Sequence, residues 1–306
     1  MTAVATTPKR RLAGVKQALR PLPWIGPAVA LIVAIVLWPV VVMVKTSFTN
    51  IASDGFSTGG AGWKNYHSLL QEPALGGVVV RTLLWVALVV GVTMVIALAL
   101  AQLFNTRFPG RRIARSALIA PWAASVMVTA LVFRWALDPN SGAINVVLHA
   151  FGIVHQMGSH QADWLGSPGT AMICMMGVAV FVSLPFSTYA LLAGLQGIPD
   201  EVHEAARVDG AGRWRSYLSV TLPLLRPSLL VATLINIINV FNSFPIIWEM
   251  TRGGPGYSTS TSTTMMFILK QSWVGESAAL SVANFVLVVI IALAFLRVTT
   301  KDGGLG

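Results

Sequence analysis

The sequence predicts an all-α integral membrane protein built on six transmembrane helices. Three observations carry that expectation. First, 55% of the 306 residues are hydrophobic and only 10% are charged, against roughly a quarter charged in soluble domains. Second, the mean hydropathy is +0.72, and six stretches free of Asp, Glu, Lys and Arg reach the ~20 apolar residues that cross a bilayer. Third, Lys and Arg collect in alternate connections between those stretches. The net charge of +10 is then a matter of membrane topology, and a nucleic-acid partner is not expected.

The elements follow in chain order. Residues 1–20 form a polar tail with Lys9, Arg10, Arg11, Lys16 and Arg20. One membrane domain occupies 21–297, with spans at about 22–44, 82–106, 116–134, 170–195, 227–248 and 277–296, and a short tail fills 298–306. The first span reads as uncleaved: it is too long for a signal core, and no A-x-A-like site follows near Val44. Two long connections, 45–80 and 135–169, are rich in glycine and leave room for short surface helices such as "WKNYHSLLQ". The 107–115 connection carries Arg107, Arg111, Arg112 and Arg115, and the 200–226 connection carries Arg207, Arg213, Arg215 and Arg226. The opposite side holds only Lys45, Lys64, Arg81, Arg134, Arg252 and Lys270. The positive-inside rule therefore places both termini and the 200–226 connection in the cytoplasm.

That connection reads "IPDEVHEAARVDGAGRWRSYLSVTLPLLRP" over 198–227. Pro199, Asp200 and Glu201 suit a helix start, because proline is tolerated in a first turn and acids complement the dipole. Gly210 supplies a residue able to take positive φ and stop the helix. A second short helix is expected from about Gly212 to Val220, giving a helix–turn–helix at the membrane surface. Ala205 and Ala206 allow close approach of another surface, and Glu204 and Asp209 add polar contacts. An ordinary amphipathic connector is the competing reading of these residues.

The run Glu204-Ala205-Ala206, two residues, then Asp209-Gly210-Ala211, followed by Leu222-Pro223 and Pro227, resembles the EAA signature of permease subunits of binding-protein-dependent ABC importers. The preceding "SLPFSTYALLAGLQ" and the later "TRGGPGYSTST", with Gly253, Gly254 and Pro255, are similar to the carbohydrate branch, the maltose-type permeases, and the general likeness extends to mycobacterial trehalose importers. The resemblance covers about residues 20–300. It implies a type I ABC importer permease fold with a cytoplasmic coupling helix in which Glu204, Ala205, Ala206, Asp209, Gly210 and Ala211 meet the ATPase. It implies a bacterial plasma-membrane location. It also implies partners: a second homologous permease, two copies of a cytoplasmic ATPase subunit carrying ATP and Mg, an extracytoplasmic sugar-binding lipoprotein, and membrane lipid. The 253–255 turn would return the chain toward the pathway.

The chain itself offers no engine. No lysine follows a glycine, so a Walker A motif is missing, and no cofactor is expected in this chain. His203-Glu204 begins like a zinc-protease motif, but Arg207 stands where the second histidine belongs. Cys174 is the only cysteine and excludes a disulfide framework.

The fifth span is the polar one. Asn236, Asn239 and Ser243 share a helix face, Asn242 extends it, and Phe241, Phe244 and Trp248 lie nearby, with Pro245 breaking or kinking the helix. Neutral amides beside aromatic rings suit a polyhydroxylated ligand; hydrogen bonding between helices is the competing use. Ser187, Tyr189, Ser281 and Asn284 are weaker candidates, and Arg134 and Glu249 mark outer ends of spans. A transporter of a phosphorylated solute such as glycerol 3-phosphate should place Arg or Lys within a span. A secondary transporter should place acids there. Neither pattern is present.

Overall fold

The computed structural model describes residues 22–51 and 55–302. The tail at 1–20 and the last residues of the 298–306 tail lie outside the described residues. Among the described residues the regular structure is helical apart from one two-stranded antiparallel pairing, β1 (Thr49–Ile51) with β2 (Ser57–Gly60).

The first apolar segment is α1 (Leu22–Ile32) and α2 (Trp38–Ser47), joined by a π turn over Val33–Leu37. A short amphipathic α3 (Lys64–Gln71) follows the strand pair and is the surface helix expected from "WKNYHSLLQ". Next comes α4 (Leu75–Asn105), whose 31 residues extend about 46 Å at 1.5 Å per residue. It starts seven residues before the expected boundary at 82. Arg81 therefore lies inside the helix, and its guanidinium is used internally, on the backbone of residues 257 and 260.

The expected span at 116–134 is two helices, α5 (Arg111–Ala123) and α6 (Val126–Ala136). Ala124 and Ser125 between them are extended, with ψ of 148° and 138°. Freedom from charge does not force a continuous helix; broken backbone is tolerated where it borders a cavity, and this break does.

After α7 (Ala143–Ala150) comes α8 (Pro168–Gln196). The 198–227 connection is α9 (Asp200–Val208), a turn, and α10 (Arg213–Ser216). Here the expected second, separate loop helix is corrected. α10 runs through a π turn at Tyr217–Thr221 straight into α11 (Leu222–Phe241). Pro223, which lacks an N–H, sits just inside α11, and the π turn in the preceding residues accommodates the interrupted ladder without ending the helix. Then come α12 (Phe244–Thr251), α13 (Ser262–Lys270) and α14 (Val274–Asp302).

Five helical stretches among the described residues are long and apolar enough to cross a membrane, and Val126–Ala136 is a shorter apolar helix. The main core lies where α4, α8, α11 and α12 meet, around Trp85, Met175, Leu191, Leu225 and Ile247. α8 and α11 approach closely at Gly194, where a Cβ would run into Ser228 and Leu225 of α11; small residues permit such approaches between apolar helices. A second core of Leu69, Val78, Met265, Leu269, Ala279 and Leu280 ties α3, α13 and α14 to the start of α4.

Candidate functional site: a cavity between two broken helices

A cavity of about 510 Å³ lies beside both helix breaks. Trp122 and Val126 flank the break between α5 and α6; Asn242, Ser243 and Pro245 flank the break between α11 and α12. The second break is satisfied locally. Asn242 Nδ2 donates to Ile238 O at 2.9 Å, Ser243 Oγ donates to Val240 O at 2.6 Å, and the Trp85 indole N–H lies 2.8 Å from Ser243 Oγ and 3.1 Å from Val240 O. These bonds hold the freed backbone in place, so the polar groups at the break are preorganised.

Four of the residues expected in a pathway meet at this cavity: Asn236, Asn239, Asn242 and Ser243. Asn236 is 1% exposed and its Nδ2 has no partner. Asn239 and Asn242 are exposed. Ser243 serves the helix break, since its hydroxyl already donates and accepts. Phe241, Phe244 and Trp248 lie elsewhere. Phe241 is buried against a different hollow beside Leu83 and Leu280. Phe244 and Trp248 stack on one another and on Phe267, with the Arg252 guanidinium 4.9 Å from the Trp248 ring centre. The aromatic wall of the cavity comes instead from Trp122 and Phe186, with Ser183 adding a hydroxyl. No charged side chain lines it. Sequence reasoning missed these three, because a tryptophan or phenylalanine in an apolar run carries no local sign of which way it faces.

The weaker candidates are not at this cavity. Ser187 is fully buried without a partner, Tyr189 Oη donates to Arg115 O at 2.9 Å, Ser281 Oγ bonds back to Ser277 O, and Asn284 borders the apolar hollow. Arg134 donates to the backbone carbonyl of Glu249 at 3.2 Å, while the Glu249 carboxylate lies 3.9 Å from Arg252.

The Gly253-Gly254-Pro255 turn does not border the cavity either. It opens a buried Ser/Thr strap, Thr259–Thr264, folded against the start of α4. Arg81 donates to Tyr257 O at 2.8 Å and Ser260 O at 3.3 Å, and the Ser262 N–H donates to Thr82 Oγ1 at 2.9 Å. Gly253 has φ +79° and a Cβ there would strike Ser260 Oγ, so glycine is required on both counts.

At the other end of α11, α9 begins after Pro199 with Asp200 and Glu201 in its first turn. It ends at Gly210, φ +73°. The Ala211 N–H reaches Ala206 O at 3.0 Å and the Gly210 N–H reaches Arg207 O at 3.1 Å, the bond pair of a Schellman stop. Glu204, Ala205 and Asp209 are exposed. Ala206 is turned inward at 7% exposure, so the expected close approach at this alanine is to its own chain. Val208 at 87% and Trp214 at 78% exposure are the apolar groups that point outward instead.

Residues 91–300 match the family described as the binding-protein-dependent transport system inner membrane component. The chain belongs to this family. It is therefore a multi-pass inner-membrane permease subunit of an ABC transporter and not an enzyme; ATP hydrolysis belongs to a separate ATPase subunit. The permease is 33% identical over 284 residues to the sulfoquinovosyl glycerol transport system permease of Agrobacterium fabrum, covering 91% of this chain and 90% of that one. It is 33% identical over 210 residues to the trehalose/maltose transport system permease of Thermococcus litoralis, covering 68% and 69%. Its fold is that of a chain in the crystal structure of a bacterial ABC transporter involved in alginate import, with a TM-score of 0.81 over 95% of this chain and 99% of that one at 19% identity.

Proposed function

We propose that this permease forms one half of the pathway of an ABC sugar importer, carrying a neutral sugar, a disaccharide such as trehalose, and that residues 198–227 couple it to the ATPase. One observation carries the substrate class: a cavity of about 510 Å³ presents the amides of Asn236, Asn239 and Asn242 beside Trp122 and Phe186, with no charged side chain. That volume is in the range of small-molecule sites. Neutral amides can pair with hydroxyls, while a phosphate would be left without a cation. The trehalose/maltose name of the Thermococcus relative points the same way, while sulfoquinovosyl glycerol, the other relative's named solute, supports the sugar class but carries a sulfonate.

The coupling role is supported by the shape of α9 and by the exposure of Glu204, Ala205, Asp209, Val208 and Trp214 around its tip. Exposed apolar groups among charges of both signs, Val208 between Arg207 and Asp209 and Trp214 between Arg213 and Arg215, suit a protein partner better than water. The partners in this reading are a second homologous permease, two ATPase subunits binding ATP and Mg, and an extracytoplasmic sugar-binding lipoprotein. α5 and α6 together make the sixth crossing, and both termini and the 198–227 loop face the cytoplasm, following the placement of Lys and Arg.

The test is uptake by the complete transporter in proteoliposomes. Labelled trehalose should accumulate only with ATP and the binding protein, and neutral disaccharides should compete while glycerol 3-phosphate does not. Competition by glycerol 3-phosphate would overturn the neutral-sugar reading. Uptake by the permease without an ATPase would overturn the coupling role.

A further inference from the structure

We propose that the arginines at the start of α5 form a binding site for the phosphate of an anionic phospholipid headgroup. The sequence here is "RFPGRRIARS", residues 107–116. Arg111, Arg112, Arg115, Ser116 and Ile119 line a hollow of about 370 Å³. The cationic charge in it is uncompensated. No Asp or Glu occurs in the chain between Glu72 and Asp138, the first turn of α5 carries no acid, and among the described residues no carboxylate pairs with these arginines.

Free surface arginines that only mark topology would extend into water. Arg111 and Arg115 do not. They are half-buried, one turn apart, and the Nε of each is buried without a partner. Arg115 is held in place by a bond from Nη2 to Phe104 O at 2.7 Å, at the end of α4. Two partly desolvated guanidinium groups with unused donors, beside the exposed Arg112 and the hydroxyl-bearing Ser116, match an oxyanion with several acceptors. Arginine clusters beside a membrane span are suited to anionic headgroups, and Ile119 on the same wall offers an apolar surface to the adjoining glycerol and acyl region. These features favour the lipid over a free phosphate ion. The same helix carries Trp122 at its far end, about 17 Å from Arg111 at 1.5 Å per residue. A bound headgroup would steady the helix that forms a wall of the cavity.

The test uses the assembled transporter in nanodiscs of phosphatidylcholine alone, of phosphatidylcholine with phosphatidylglycerol, and of phosphatidylcholine with inorganic phosphate in the buffer. Wild type should melt higher with phosphatidylglycerol, and phosphate should not reproduce the rise. Each arginine removed from the hollow should weaken headgroup binding about five-fold. Arg111→Gln/Arg112→Gln should therefore lose most of the rise while melting as wild type does in phosphatidylcholine. Should that variant fail to assemble, Ser116→Asp puts a carboxylate at the hollow and should lose the rise in the same way. Arg107→Gln, on the exposed approach to the helix, controls for general surface charge and should keep most of it. A rise that survives in the double variant or in Ser116→Asp, or that Arg107→Gln abolishes equally, overturns the site. A rise that inorganic phosphate reproduces overturns the lipid as its occupant.

Discussion

Gly210 ends α9 at φ +73° with paired bonds to Ala206 and Arg207. A side chain in that conformation costs about 1–2 kcal/mol, and nothing lies within 4 Å of the missing Cβ, so the penalty of Gly210→Ala is conformational and not steric. The variant should still assemble, but sugar-stimulated ATPase activity should fall relative to basal activity; unchanged stimulation would remove the loop from coupling. Asn236 presents the opposite case, a buried amide with Nδ2 unpartnered beside the cavity. A bond from it to a sugar hydroxyl would be worth about 0.5–1.5 kcal/mol. Asn236→Leu, which removes the amide while keeping a branched side chain, should raise the KM for uptake about two- to ten-fold with basal ATPase activity intact. Asp138 supports a turn in the 135–169 segment. The Ser141 N–H, then the Asn140 N–H and the Ser141 hydroxyl, hold its carboxyl below the ordinary value of 3.8. A depressed carboxyl favours the folded turn above that ordinary value, and the contribution disappears as pH falls through the folded pKa. Amide-exchange protection at Asn140 and Ser141 should therefore drop at acidic pH in wild type and lose that pH dependence in Asp138→Asn. Gly210 was legible in the sequence because a glycine between two helical runs has a local conformational meaning. The asparagines were legible because amides stand out in an apolar run. Trp122, Ser183 and Phe186 were not, because their role depends on which helices are neighbours.

Helices α4 and α11 show why charge-free stretches locate elements better than they bound them. The charge-free stretch begins only after Arg81, yet α4 passes through it because two loop carbonyls take up its guanidinium. The same arrangement fixes the Ser/Thr strap that follows α12. Arg81→Met should remove the guanidinium bonds to the Tyr257 and Ser260 carbonyls, leaving Tyr257 O only the Ser260 N–H at 3.0 Å, and destabilise the strap by about 1.5–3 kcal/mol, the range for bonds to a charged group. Faster proteolysis within 252–262 and a lower melting temperature of the assembled transporter would register it. Arg81→Lys should recover little, since a single ammonium lacks the fork that reaches both carbonyls. If protection of the strap is unchanged in Arg81→Met, its support comes from Thr82 and the buried hydroxyls instead. The break between α5 and α6 was hidden for a related reason. Ala124 and Ser125 themselves carry no strong breaker signal, although Pro121 lies three residues upstream, and their extended backbone borders the cavity.

The whole molecule is visibly one part of something larger. Its apolar spans bury between 0% and 33% of their most hydrophobic windows within the chain, and lipid or a partner must cover the rest. The cavity is open in the same sense. Trp122 is 61% exposed, and Asn239 and Asn242 are exposed as well, so the groups best suited to a sugar are walled on one side only. A like-folded second permease placing its own broken helices opposite would complete the enclosure and exclude water, strengthening each hydrogen bond to the ligand. This can be read from one residue. With Cys174 replaced by Ala, the chain has no other cysteine, and Asn239→Cys becomes a single reporter on the cavity wall. It should react readily with a bulky polar maleimide in the isolated subunit, more slowly when the second permease is co-assembled, and most slowly when the sugar-loaded complex is trapped. Equal reactivity in the isolated and assembled states would mean that Asn239 faces lipid or solvent in the transporter, and the sugar path would then have to run along another face of α11.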